Sequence, residues 1–270
     1  MAKILSFLSW NVENFHNQKE RVDRVVQLIA DHNPDVLGLY EVKGKDVFAA
    51  MVAKMPNYVF SITESPGVPE ILVGIRNGLS GFVTQKDELQ SKVPTLRPGA
   101  LVTITLGNEG YSFLFLHLKS FPDPRSWGLR DDMFAHVAKL KRAIDKRLPR
   151  GEKANFIALG DVNTMGMRPA YNDQLDIIGA QELSFVDQRM SAAVNAMRRL
   201  SKTHDETWWG GGDTPPSDLD HAFAADHLKL RSFGGAELKV VGWVDKRTAA
   251  EKCKWISDYS DHSLLYGEIV

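Results

Sequence analysis

Residues 155–164 read Asn155-Phe156-Ile157-Ala158-Leu159-Gly160-Asp161-Val162-Asn163-Thr164. Phe156 to Leu159 form a short apolar run of the kind that makes a strand buried on both faces. Gly160 then permits a turn that brings the backbone close to something bulky. In an extended chain, Asp161 and Asn163 project from one face just past the strand end, where α/β proteins place their ligands. A carboxylate offers a hard oxygen to a divalent cation, and an amide donates to a phosphate oxygen. Asp and Asn also favour simple turns, so this stretch alone leaves turn and site equally open.

Working outward, the same design recurs. Upstream, a strand at 111–116 delivers His117-Leu118-Lys119-Ser120, with Asn108-Glu109-Gly110 as the hairpin turn before it. A helix over 129–148 then turns Met133, Phe134, Val137, Leu140 and Ile144 inward. Nearer the N-terminus, a strand at 4–9 delivers Asn11, an amphipathic helix spans 19–32, and a strand at 35–40 ends at Glu41. A helix over 45–54 follows, and strands near 58–62, 71–76, 81–85 and 100–106 suggest an antiparallel meander.

Downstream the pattern loosens. Helices are expected at 169–178 and 186–200, the second with a basic side of Arg189, Arg198, Arg199 and Lys202. That side is either a solvated face or a phosphate contact. Trp208-Trp209-Gly210-Gly211-Gly212 is either a platform for an unpaired base or a buried aromatic anchor. A strand at 219–224 carries Asp220, with Asp218 and His221 beside it, and another spans 238–244. Ser260-Asp261-His262-Ser263 leads into a last strand at 264–269.

The chain has 270 residues, of which 43% are hydrophobic, enough for one large domain covering 1–270. Its formal net charge of -1 excludes a global basic field for long-range capture of nucleic acid, so any such binding must use local patches and metal. The one cysteine, Cys253, excludes an internal disulfide and fits a reducing compartment. No stretch approaches the roughly 18 to 20 apolar residues of a membrane span, and the first residues read as a strand, not a secretion signal. A soluble, cytoplasmic protein without membrane contact is expected.

Polar groups thus stand at six strand ends: Asn11, Glu41, His117, Asp161 with Asn163, Asp220, and Asp261 with His262. Any one of these fits a satisfied structural polar group, but short buried strands give few reasons to retain so many charges near a core. In order and local sequence they resemble the endonuclease/exonuclease/phosphatase superfamily, the DNase I-like fold. The matching pieces are Ser-Trp-Asn-Val, Tyr-Glu-Val, His-Leu-Lys-Ser, Gly-Asp-Val-Asn-Thr, Leu-Asp-His-Ala-Phe and Ser-Asp-His-Ser, spread over residues 9–263. The resemblance implies a four-layer α/β/β/α sandwich, with two mixed β-sheets packed face to face, flanking helices and the site at one end.

Hydrolysis of a phosphodiester loads negative charge onto phosphoryl and leaving oxygens, and the attacking water must lose a proton. Mg²⁺ or Mn²⁺ held by Glu41, with Asn11 nearby, suits the first need. His262 suits the second, its tautomer fixed by Asp220, which is the superfamily's general-base dyad by resemblance. The resemblance also has Asp161 orient the nucleophile or accept a second metal's water, Asn163 donate to the phosphate, and His117 stabilise phosphoryl oxygens or protonate the leaving group. Asp261 would complete the metal or phosphate shell. Asp218 is a rival partner for His262, and His221 should point away. Lys119 and Arg130 follow the His117 strand and either touch phosphate or are solvated cations.

The leading expectation is a divalent-metal-dependent phosphodiesterase, a nuclease acting on DNA or RNA. The alternative is a phosphomonoesterase or lipid/inositol-phosphate phosphatase of the same superfamily. A catalytically silent binding domain would lack a base or a metal ligand, and none is lacking. Fold analogy does not choose the substrate.

Overall fold

The computed structural model describes residues 2–16, 18–43, 45–66 and 70–270. Two six-stranded mixed sheets carry the architecture. The first has the order β11-β12-β1-β2-β4-β3 and the second β5-β6-β7-β8-β10-β9. The strands are β1 (Leu5–Phe15), β2 (Val36–Val42), β3 (Tyr58–Ile62), β4 (Glu70–Arg76), β5 (Ser80–Lys86), β6 (Gly99–Leu106), β7 (Glu109–His117), β8 (Asn155–Asp161), β9 (Met197–Arg199), β10 (Asp220–Ala225), β11 (Lys239–Val241) and β12 (Leu264–Ile269). The helices are α1 (Lys19–His32), α2 (Lys45–Lys54), α3 (Pro124–Asp145), α4 (Gly179–Ser191) and α5 (Ala249–Asp258).

Each sheet is built around the same unit: two parallel central strands joined by a helix that covers the outer face. In the first sheet α1 joins β1 to β2, and in the second α3 joins β7 to β8. The inner faces meet through Phe7, Val36, Val73, Val102, Phe113, Phe115 and Leu159. Outside the first sheet, Val22, Val25 and Ile29 of α1 cluster with Leu8, Trp10, Leu37 and Leu39. Outside the second, Met133, Phe134 and Val137 of α3 cluster with Leu114, Leu116 and Phe156. Three apolar seams therefore separate four layers, as the sequence leads one to expect.

Strands buried on both faces leave polar groups only at their ends. The parallel pairs send their C-terminal ends to one edge of the sandwich, and the antiparallel neighbours β10 and β12 begin at that same edge. The predicted site residues are thereby gathered from the whole chain to one edge, at strand ends and in the adjoining loops.

The segment after β8 departs from expectation. Residues 169–178 hold no α-helix, only a short 3₁₀ turn at Asp173–Leu175, because Met167 pairs with Ile177 and folds the segment back on itself. The helix expected at 186–200 instead runs over Gly179–Ser191, and Met197–Arg199 is a strand on the edge of the second sheet. The β6–β7 turn is Gly107-Asn108, one residue earlier than the Asn108-Glu109-Gly110 reading, since Leu106 pairs with Glu109 and Gly107 supplies the positive φ.

Gly160 is the tightest point under the site. Its φ is +149°, and a Cβ there would lie 1.9 Å from the Leu116 carbonyl oxygen and 2.8 Å from the Tyr40 hydroxyl. Gly160→Ala is therefore expected to destabilise the protein by more than about 2 kcal/mol in urea denaturation, whereas Gly110→Ala, with open space around it, should change little.

Candidate active site

Strand register lines up the first three site residues. His117 pairs with Asp161 across the parallel β7–β8 ladder, and Asp161 pairs with Asp220 across the antiparallel β8–β10 ladder. Partners in register share a face, so three functional side chains from three strands point to one side. Asn11, in the other sheet the last residue of β1 in continuous register with β2, closes the gap: its Nδ2 donates to Asp161 Oδ2 at 2.9 Å and to Glu41 Oε1 at 3.3 Å. Glu41 also accepts from the Asn14 backbone amide at 2.8 Å. Glu41 and Asn163 both have positive φ, +61° and +51°, unusual backbone for residues other than glycine and a mark of sites where side-chain aim matters.

His262 joins from the start of β12. Its Nδ1 lies 2.8 Å from Asp220 Oδ2, and its Nε2 lies 3.8 Å from Asp161 Oδ2 and 4.0 Å from Asp261 Oδ1. The Asp220 carboxylate fixes the Nδ1–H tautomer and leaves Nε2 facing the site. Burial by itself lowers the imidazole pKa, but the Asp220 and Asp161 charges and the Asp220 hydrogen bond override it and push it up to about 10. Burial raises the Asp161 carboxyl, and despite the opposing His262 charge it is pushed up to about 7. His117 behaves oppositely. Burial first, then the Arg97 and His262 charges, hold it well below its ordinary value, so its ring is neutral. Its Nε2 faces Asp161 Oδ2 at 3.4 Å and Glu41 Oε1 at 3.8 Å.

The donor set fits a hard divalent cation. Glu41 and Asp161 both meet the Asn11 amide, Asp261 and Asp161 both lie about the His262 Nε2 at 4.0 and 3.8 Å, and among the described residues no Lys or Arg forms an ion pair with these carboxylates. Carboxylate and amide oxygens are the ligands that Mg²⁺ and Mn²⁺ favour. Asp161, Asp220 and His262 also bring ligand atoms within 4.8 Å of one another. We assign the Asp220–His262 part of that set to the hydrogen-bonded dyad, because the 2.8 Å contact already engages Nδ1.

Tryptophans hold the Asp261–His262 segment in place. Trp10 Nε1 donates to the His262 carbonyl at 2.9 Å, and Trp243 Nε1 to the Asp261 carbonyl at 3.1 Å. The Trp209 backbone amide donates to the same Asp261 carbonyl at 3.0 Å, and Trp208 Nε1 to Asp261 Oδ2 at 2.7 Å. Ser260 Oγ donates to the Asn11 carbonyl at 2.7 Å and accepts from the His262 amide at 3.0 Å. Of the two readings of the Trp208-Trp209 pair, the anchor is the one the hydrogen bonds describe.

A profile of the endonuclease/exonuclease/phosphatase family matches residues 8–262. The chain belongs to that family. Its members hydrolyse phosphoester bonds and typically depend on a divalent metal, and this chain has a buried Asp161–Asp220–His262 cluster. Among solved structures, truncated Caenorhabditis elegans TDP2 is 16% identical with a TM-score of 0.69, over 98% of this chain and 97% of that one. D. rerio TDP2 complexed with single strand DNA product is also 16% identical, with a TM-score of 0.66 over 98% of both chains. The human Nocturnin catalytic domain with bound sulfate is 13% identical, with a TM-score of 0.63 over 100% of this chain and 96% of that one. At such identities the likeness is one of fold. A search of curated proteins finds no match to this sequence.

The structure brings together Asn11, Glu41, His117, Asp161, Asn163, Asp220, Asp261 and His262. Asn163 curls back, its backbone amide donating to Asp161 Oδ1 at 3.2 Å and its Nδ2 to the Leu118 carbonyl at 3.3 Å. Asp218 is not the partner of His262, since it ion-pairs with Lys202 and lies 3.3 Å from His221 Nε2. Arg130 must be corrected. It is fully buried, forms a paired contact with Glu182 at 2.7 and 2.9 Å, and donates to the carbonyls of Lys119, Phe121 and Gly166. No donor remains for a phosphate. The expected basic side is likewise neutralised: Arg189 pairs with Asp131, Arg198 with Glu237, Arg199 with Asp187 and Lys202 with Asp218. Sequence reasoning missed Tyr40, whose hydroxyl lies 2.8 Å from Ser9 Oγ and whose ring packs on His117. It also missed Glu13, whose carboxyl is raised by burial and by the Asp261 charge. The uninterrupted run from Trp10 to Asn14 was the one available signal.

Two expectations follow. Because the Asp161 pKa lies far above its ordinary value, a proton competes with a cation below pH 7, so Mn²⁺ affinity measured calorimetrically should weaken about 10-fold from pH 8 to pH 6, and Asp161→Asn should flatten that dependence. Arg130→Met leaves Glu182 buried and unpaired and should cost about 3–5 kcal/mol in urea denaturation, most of which the further change Glu182→Gln should restore.

Proposed function

We propose that the protein is a divalent-metal-dependent phosphodiesterase that hydrolyses nucleic acid. The observation that carries this reading is the buried His262–Asp220 pair aimed across a carboxylate and amide cluster of Glu41, Asn11 and Asp161, with neutral His117 on the far side. D. rerio TDP2, similar over nearly the whole chain, holds single strand DNA product, which favours a nucleic-acid substrate over a small phosphate ester.

Each residue then has one task. Glu41, with Asn11 and Asp261, would hold the cation. When bound, Mg²⁺ or Mn²⁺ supplies Lewis-acid stabilisation of the phosphoryl charge and offsets the carboxylate field that otherwise keeps His262 protonated. His262 Nε2 takes the proton of the attacking water, while Asp220 holds the tautomer and stabilises the imidazolium that forms. Asp161 accepts a hydrogen bond from that water and aims it. His117, neutral, directs its Nε2–H at a phosphoryl oxygen, a role that suits its lowered pKa better than proton donation to the leaving group. The Asn163 amide donates to the same phosphate.

Supercoiled plasmid, single-stranded RNA and an inositol phosphate, each incubated with Mg²⁺, Mn²⁺ or EDTA, test this assignment. Cleavage of a nucleic acid is expected, abolished by EDTA and reduced at least about 10²-fold by His262→Ala and by Glu41→Ala. Turnover of the inositol phosphate alone would move the protein to the phosphatases of the family.

A further inference from the structure

The loops after β7 and β8 form a cleft beside the site, and one residue on its rim is conspicuous for its backbone. Phe121 has φ +81° and is 61% exposed, so an aromatic side chain is displayed to solvent from a conformation that favours glycine. The strain is enforced from below. Buried Arg130 donates to the Phe121 carbonyl at 2.8 Å and the Lys119 carbonyl at 3.0 Å, and to the Gly166 carbonyl of the β8 loop at 2.8 Å. Glu182 secures the other side of the guanidinium and accepts from the Gly166 amide at 2.7 Å. One ion pair thus sets two loops against each other and keeps the Phe121 ring out of the core.

Chemistry around the ring is matched to an anionic aromatic ligand. The Lys119 ammonium sits over the ring, 4.6 Å from its centroid, and the Phe121 side chain otherwise stands largely exposed. The Phe121 amide contacts Met165 Sδ at 3.2 Å, and Met165, Pro122, Thr164 and Arg168 line a cavity of about 650 Å³. Thr164, which follows Asn163, belongs to that lining, so the cavity begins beside the site. Arg168 is exposed and its guanidinium has no partner among the described residues. Of the acidic groups on the far wall, Asp218 is already ion-paired with Lys202, and Asp205 remains. Phe121 and Lys119 stand outside that lining, next to its Pro122 and Met165, and a cleft of this size with Arg168 inside it and an aromatic platform with its cation on the rim suits a nucleotide.

We propose that this cleft seats one unpaired nucleotide of a single-stranded nucleic acid next to the cleaved bond, with its base on the exposed ring of Phe121 and its phosphate at Lys119 and Arg168. This rests on the nucleic-acid reading above and narrows it. A base in a duplex is stacked on both sides and has no free face for the ring, so the platform selects single strands.

Fluorescence anisotropy of a labelled single strand and of the matching duplex, both in EDTA, tests the platform, with oligonucleotide cleavage in Mn²⁺ followed separately. Phe121→Gly should weaken single-strand binding about tenfold or more, Phe121→Trp should restore it, and Arg168→Gln should weaken it and reduce its salt dependence. Phe82→Ala, a loss of an exposed ring on the distant strand β5, should leave binding as it is. Glycine relieves the positive φ, so the melting temperature of Phe121→Gly should hold or rise. Unchanged binding in Phe121→Gly, an equal loss for strand and duplex, or a fall in melting temperature that parallels the binding loss would each overturn the platform. Tight, Phe121-dependent binding without cleavage would retire the hydrolytic assignment and leave the platform standing.

Discussion

Two hydrogen bonds, from the Asn11 amide to the Asp161 carboxylate and between His262 and Asp220, join the two sheets at the edge where the polar cluster sits. Everything apolar in the sandwich works to bring these strand ends together, because the inner faces of Phe7, Phe113 and Phe115 fix the spacing between the sheets. The polar cluster is therefore a consequence of core packing. Its carboxylates repel one another in a poorly solvated setting, and the imidazolium of His262 is the main internal relief for that repulsion. This field explains why the two site histidines differ so widely: His262 faces Asp220 and Asp161, whereas His117 is buried with Arg97 and His262 as its charged neighbours.

The indole clamps are the second tier of this arrangement. Asp261 and His262 lie in a loop, and a loop by itself does not hold a side chain to the tolerance that catalysis needs. Donors from Trp10, Trp208 and Trp243, which lie on three separate stretches of sequence, fix both carbonyls and the Asp261 carboxylate. Trp208 shows why an aromatic pair is ambiguous in sequence. Its indole has an apolar body and one donor, and only the position of Asp261 decides which of them matters.

The strand ends were legible because each is a local pattern: an apolar run, then a polar residue at a spacing of one or two. The four layers were implied by the family resemblance that those strand-end motifs carry. What stayed hidden depended on distant partners. Arg130 lies on an otherwise amphipathic helix, and nothing within it announces Glu182, 52 residues on. The arginines of 189–199 looked like one basic face only because a continuous helix was assumed there. In the structure the chain turns at Ala196, with φ +48°, and each arginine meets its own carboxylate. The segment after β8 misled for a similar reason, since its shape is set by the Met167–Ile177 pairing across a loop, not by periodicity.

The route of the chain through the site has a consequence for biosynthesis. Asn11, Glu41, His117 and Asp161 emerge from the ribosome well before Asp220, and His262 comes last. The first sheet also lacks its strand β12, which pairs with β1 through Leu5–Ile269 and Ser9–Leu265, until the same moment. A growing chain thus holds the carboxylates and amides of the cluster before it holds the imidazole that pairs with Asp220, and the cluster is complete only when β12 closes the sheet.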